Sequence, residues 1–172
     1  MAQLSAHEQY MLELINRARL DPAGEAQRFG IDLNAGLAPG TISAASKQPL
    51  AGNDLLSNAA AGHSQWMLDT DTFSHTGVNG SNPGARMSAA GYTFSGSWTW
   101  GENIAWSGTT GTPNVLSMIN SQHAGLFRSA GHRTNTLNDN FREIGLGTET
   151  GTFQVYNAVM TTQNFAKSGS QS

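Results

Sequence analysis

The stretch Ile144–Met160, IGLGTETGTFQVYNAVM, decides the fold of this chain. Ile144, Leu146 and Thr148 alternate around Gly145 and Gly147 with the period of two that a strand requires. Gly151 is expected in a hairpin connection. Phe153, Val155 and Val159 then mark one side of the next strand, and Tyr156, Ala158 and Met160 mark the other. Apolar residues on both sides imply a sheet covered on both faces. Helical patterns come first and the hairpin closes the chain, so the expected class is α+β. The architecture is a three-layer α-β-α sandwich with a mainly antiparallel central sheet and long loops.

Upstream of the hairpin, Ser5 and Glu8 have the spacing of a capping box. Met11, Leu14, Ile15 and Ala18 follow at helical spacing, until Asp21-Pro22 breaks the run and Ala23–Phe29 restarts it. Residues 34–53 show no sustained period and read as a long connection. A second helix begins near Asn53 or Asp54 and buries Leu55, Leu56, Ala59, Ala60, His63, Trp66 and Met67. On that apolar stripe His63 reads as a satisfied core histidine. Asn82-Pro83-Gly84 marks a turn or helix start, and Trp98–Trp106 contains a short strand. Thr112-Pro113 suits an N-cap and first turn, followed by the helical stripe Leu116, Ile119, His123, Leu126 and Phe127.

Size fits one domain: 172 residues are long enough to bury about two-thirds of the unfolded surface. The expected domain is 1–166, with 167–172 as a polar tail or linker remnant. Basic residues number 9 against 12 acidic ones, and only Lys47 and Lys167 are lysines. A duplex binder needs a concentrated basic face, so nucleic acid is not an expected partner. No apolar run is long enough to span a bilayer, and the start lacks the layout of a signal peptide. With 0 cysteines, disulfides and thiolate chemistry are excluded together.

Three polar residues stand among glycines and apolar neighbours at loops or element ends: His75, Glu102 and His132. A buried carboxylate needs a partner, and two imidazoles could provide one. The same set suits zinc or another divalent metal, while separate hydrogen-bonding roles remain the alternative. Trp98, Trp100 and Trp106 flank the glutamate and are read as core packing, a cleft wall or a sugar-stacking platform.

The segments Phe73-Ser74-His75-Thr76-Gly77, Gly101-Glu102-Asn103-Ile104-Ala105, Gly131–Leu137 and Phe141–Gly147, with the opening Met11–Arg19, resemble the CAP superfamily. This is the SCP-like domain of cysteine-rich secretory proteins, antigen 5 and group 1 pathogenesis-related proteins, and the likeness is to its bacterial branch. It covers nearly all of Glu8–Phe165. The resemblance implies an α-β-α sandwich with an open cleft and a secreted or periplasmic location. Its site has two histidines and two glutamates and binds zinc or another divalent ion in some members. By motif, His75 and His132 match the histidines and Glu102 one glutamate, whereas Ser129 stands near the other, so the tetrad is incomplete. His75, Glu102 and His132 are therefore the expected metal ligands, or the catalytic set if the protein is an enzyme. His123 is read as a core or cleft-wall histidine or, like Ser129, as support for the set; Asn103 is expected to pin the loop carrying Glu102, and Arg133 faces solvent or pairs with Glu143.

Three functions remain open at this stage. The first is a secreted binding protein whose cleft takes a small apolar, glycan or protein ligand, with a divalent ion at His75/Glu102/His132. The second is a metal-assisted or Glu/His-dependent, peptidase-like hydrolase, against which stand the missing Gly-x-Ser-x-Gly elbow and His-Glu-x-x-His helix. The third is a non-catalytic interaction module of a larger exported protein.

Overall fold

The computed structural model describes residues 3–169. Met1 and Ala2, and residues 170–172 of the expected tail, lie outside them. Helix α1 (Ala6–Leu20) begins with the capping box: Ser5 Oγ accepts from the Glu8 N–H at 3.2 Å and the Glu8 carboxylate accepts from the Ser5 N–H at 2.8 Å. Asp21 closes α1 and caps α2 (Pro22–Arg28), accepting from the Gly24 N–H at 2.9 Å. A long irregular connection leads to β1 (Ala51–Gly52), a two-residue strand that no periodicity announces. Asn53 then caps α3 (Asp54–Asp69). A 3-10 turn at Val78–Gly80 precedes α4 (Pro83–Ala89), which Asn82 caps. The chain continues through β2 (Thr99–Thr109), α5 (Val115–Arg128), α6 (Ala130–Thr136), β3 (Glu143–Phe153) and β4 (Tyr156–Lys167).

The sheet order is β1-β3-β4-β2, with β1 parallel to β3 and the other pairs antiparallel. One face packs on α1 and α5 through Met11, Ile15, Ile119, Ile144, Leu146 and Phe165. The opposite face packs on α3 and α4 through Leu56, Ala59, Met87 and Ala166. This is the three-layer sandwich that the sequence implied. Its closest layer contact needs glycine: a Cβ at Gly145 would lie 2.0 Å from the Leu56 carbonyl carbon, and one at Gly147 2.2 Å from the Ala61 nitrogen. Helix α3 therefore lies with its backbone on the strand, held by a hydrogen bond from Ser64 Oγ to the Gly147 carbonyl at 2.8 Å.

Four local expectations need correction. The hairpin turns at Gln154 and Val155, both at positive φ, with Val155 88% exposed; Gly151 pairs with Ala158 inside the ladder, and Phe153 belongs to β3. Residues 148–152 are threonine, glycine and glutamate, so their side-chain pattern hides a ladder that the backbone continues. Helix α5 is capped by Asn114, whose Oδ1 accepts from the Ser117 N–H at 3.0 Å, and Thr112-Pro113 lies outside it. Leu116 is half exposed rather than part of the stripe. Arg133 neither faces solvent nor pairs with Glu143: it is fully buried and donates to the carbonyls of Phe127, Arg128 and Ala35.

Candidate functional site

Glu102 sits in the middle of β2 with its carboxylate buried. Three donors converge on it. His75 Nδ1 approaches Oε1 at 2.8 Å, and Arg86 Nη2, from α4, donates to Oε2 at 2.7 Å. Asn164 is the β4 residue directly opposite Glu102; with its amide nitrogen turned to the carboxylate it donates to Oε2 at 2.9 Å and accepts from the Ala60 N–H at 3.2 Å. His63 Nε2 stands 3.9 Å from Oε1 and donates to the Ser74 carbonyl at 2.8 Å, tying α3 to the loop that carries His75. A carboxylate only accepts, so His75 carries its proton on Nδ1 and keeps Nε2 for another partner.

His132 is presented by α6, a short helix where the sequence suggests only an element end. Its Nδ1 meets the Ser129 hydroxyl at 2.7 Å. Burial lowers the pKa of His132, and the nearby His75 lowers it further, so the ring is held neutral. Asn103 fixes α6 to the strand, donating to the His132 carbonyl at 3.2 Å and to Gln163 Oε1 at 3.1 Å. Asn135 closes the brace with hydrogen bonds to Asn103 Oδ1 at 2.9 Å and to the Glu102 carbonyl at 3.2 Å. A groove of about 380 Å³ runs past His132, walled by Phe73, Trp106, Gln122, Leu126 and Ser129.

The sequence-level candidates thus divide. His75, Glu102 and His132 share one region, with Asn103 and Ser129 bonded to it, and Trp106 forms part of the groove wall. Trp98 and Trp100 line a different hollow beside α4 with Phe94. His123 is placed elsewhere: it is buried against Glu25 Oε2 at 3.4 Å and packs on Phe29 and Phe127. The stripe that it shares with Ile119 and Leu126 points into the core, where His123 joins Arg17 and Arg28 around Glu25. Among the described residues, no group of three or more His, Cys, Asp or Glu side chains is arranged to hold a metal ion. Arg86 and Asn164 have no signal in the sequence. Arg86 is 16 residues from Glu102 with no repeat linking them, and Asn164 is found only through strand register.

The pattern of the cysteine-rich secretory protein (CAP) family matches residues 12–165. The chain belongs to this family. It is 30% identical over 146 residues to the uncharacterized protein YkwD of Bacillus subtilis (strain 168), a stretch covering 85% of this chain and 44% of YkwD. An extracellular protein containing a SCP domain from Bacillus anthracis is similar in structure, with a TM-score of 0.60, 23% identity, and coverage of 96% of this chain and 44% of that one. An outer surface protein from Borrelia burgdorferi gives a TM-score of 0.66 at 15% identity, covering 98% of this chain and 97% of that one. The present chain therefore spans less than half the length of both Bacillus relatives. Among the described residues, no helix is long and apolar enough to cross a membrane.

Proposed function

We propose that this CAP domain is an exported binding module whose groove holds a divalent cation between two imidazoles, His75 and His132, and takes its ligand beside them. One observation carries this reading: each ring has its Nδ1 engaged by a neighbouring oxygen, Glu102 Oε1 at 2.8 Å and Ser129 Oγ at 2.7 Å. The carboxylate fixes the tautomer of His75 and leaves its Nε2 lone pair for an ion, while the Ser129 hydroxyl directs the ring of His132. In this arrangement Glu102 orients His75 rather than ligating the ion, because its oxygens already face His75, Arg86 and Asn164. Zinc accepts neutral imidazole, and with two protein ligands rather than its usual three or four the remaining positions would be taken by water or ligand oxygen. The chemistry such an ion supplies is Lewis acidity toward a bound oxygen.

The hydrolase alternative is weaker for the same reason. A general base needs a lone pair directed at substrate, and the lone pairs of Glu102 are turned toward protein donors. Titration of the purified domain with zinc by calorimetry tests the reading. His75→Ala and His132→Ala are each expected to weaken binding by at least about tenfold. Unchanged affinity in both variants, with the fold intact by circular dichroism, would refute the site.

A further inference from the structure

Strand β2 is the outermost strand on the side of the sheet away from β1, and it pairs with β4 without interruption from Thr99 to Thr109. In an antiparallel ladder alternate residues turn both backbone groups to the neighbour, and the residues between turn theirs away. The Ile144 carbonyl accepts from the Asn53 N–H on the β1 side, so Gly145 is the β3 residue that bonds Asn164. The backbone of Asn164 is thereby used, and its β2 partner Glu102 faces outward; Asn135 accordingly donates to the Glu102 carbonyl from α6. The outward set of β2 continues through Ile104, Trp106 and Gly108. Their outward N–H and C=O groups have no hydrogen-bond partner among the described residues. Natural sheets protect a free edge with charge, proline, a bulge or a covering element. The stretch Ile104–Gly108, IAWSG, has neither charge nor proline, and its register with β4 is unbroken. Ala105, Trp106 and Ser107 all line the groove beside His132. Successive side chains point to opposite faces of a strand, so a groove touching three in a row meets the strand at its edge.

We infer that the free edge of β2 takes an extended segment of another polypeptide as an added strand, with alternate side chains of that segment entering the groove beside Phe73 and Leu126. Backbone pairing supplies the affinity in this mode, and pockets for alternate side chains supply the choice. The complement is in the chemistry: a row of amide donors alternating with carbonyl acceptors is matched by another extended backbone. No Asp, Glu, Lys or Arg stands among the lining residues, so nothing in the groove selects a charged ligand. Phe73 is 45% exposed and offers apolar surface to a side chain of the guest. A second copy of this sheet fits less well, because Phe73 and α5 flank the edge and leave a groove of about 380 Å³, room for a single chain. The inference rests on the reading of this groove as the ligand site but needs no cation. Failure of the peptide to bind leaves the zinc titration untouched, and the reverse holds.

The experiment is an NMR titration of the metal-free domain with an acetylated and amidated pentapeptide of alternating threonine and valine. The backbone amides of Ile104, Trp106 and Gly108 serve as reporters. With peptide at about ten times its dissociation constant, their hydrogen exchange is expected to slow about tenfold. Two further peptides carry N-methyl groups, one on the threonine nitrogens and the other on the valine nitrogens. A strand donates to its neighbour from only one of these sets. One methylated form is therefore expected to bind at least about fivefold more weakly, the worth of a single hydrogen bond, and the other to bind as before. Phe73→Ser removes apolar wall and is expected to weaken binding about fivefold. Binding by both methylated forms or by neither, unprotected reporter amides, or indifference to Phe73→Ser overturns the inference. So does a dimer in sedimentation whose three amides are protected without peptide, which would give the edge to a second copy.

Discussion

At Glu102 the surrounding donors favour one of the roles that residue type left open. A glutamate beside two histidines suggests a ligand or a base, yet its oxygens are directed at His75, Arg86 and Asn164. Glu102→Gln keeps the shape and removes the charge, leaving Arg86 buried without its counter-ion. The expected result is a zinc affinity lower by about 10- to 100-fold and a stability loss of about 2 kcal/mol, measured by calorimetry and urea unfolding. Glycine-flanked polar residues stand out in an apolar context, but that context left separate roles open for Glu102, His75 and His132, and it was the family resemblance that grouped them. The role was not legible. Arg86 comes from another helix and Asn164 from across the sheet, and neither has a spacing that points to Glu102. His123 shows the converse: its position relative to His132 is suggestive along the chain, while its partner in space is Glu25, 98 residues away.

Among the elements, α5 provides a clean comparison of sequence signal and structure. Thr112-Pro113 has the composition of a helix start, but Asn114 supplies the oxygen that caps the Ser117 N–H. Asn114→Ala is expected to destabilise the domain by about 1 kcal/mol in urea unfolding, while Thr112→Ala leaves it unchanged. Two neighbouring strong cap formers cannot be ranked without knowing where the helical dihedrals begin. The long helices were readable because their apolar residues recur over several turns. Helix α6 and strand β1 were not, being Ala130–Thr136 and Ala51–Gly52, too short for any period to establish itself. Strand β4 hides in another way: Thr161, Thr162, Gln163 and Asn164 are all buried, so the central strand reads as polar in the very segment that supports the site.

For the whole molecule, buried charge sets the response to acid. Burial alone would raise the pKa of Glu25, but hydrogen bonds from His123 and Arg17 outweigh it and hold the carboxyl below its usual 4.5. Folding thus favours the ionised form. Its contribution is complete above about 4.5 and drains away as pH falls through the lower folded value. His63 acts at higher pH: burial, only partly opposed by Glu102, lowers its pKa from 6.5, so the folded state prefers the neutral ring and stability declines as pH falls below 6.5. Urea midpoints measured across the acid range should fall in two stages, with Glu25→Gln flattening the lower one; a profile indifferent to that substitution would contradict the assignment. The three-layer arrangement itself was legible from one hairpin with apolar residues on both sides. What no pattern could convey was how near α3 lies to that hairpin. At Gly147 the helix has no cushion, since a Cβ would sit 2.2 Å from the Ala61 nitrogen. A single methyl there would work like a shim under a beam, tipping α3 and dragging the loop that hangs from its end. Gly147→Ala should therefore imitate a defect in cation binding although it lies in another layer, because the imidazole at position 75 would be swung off its carboxylate.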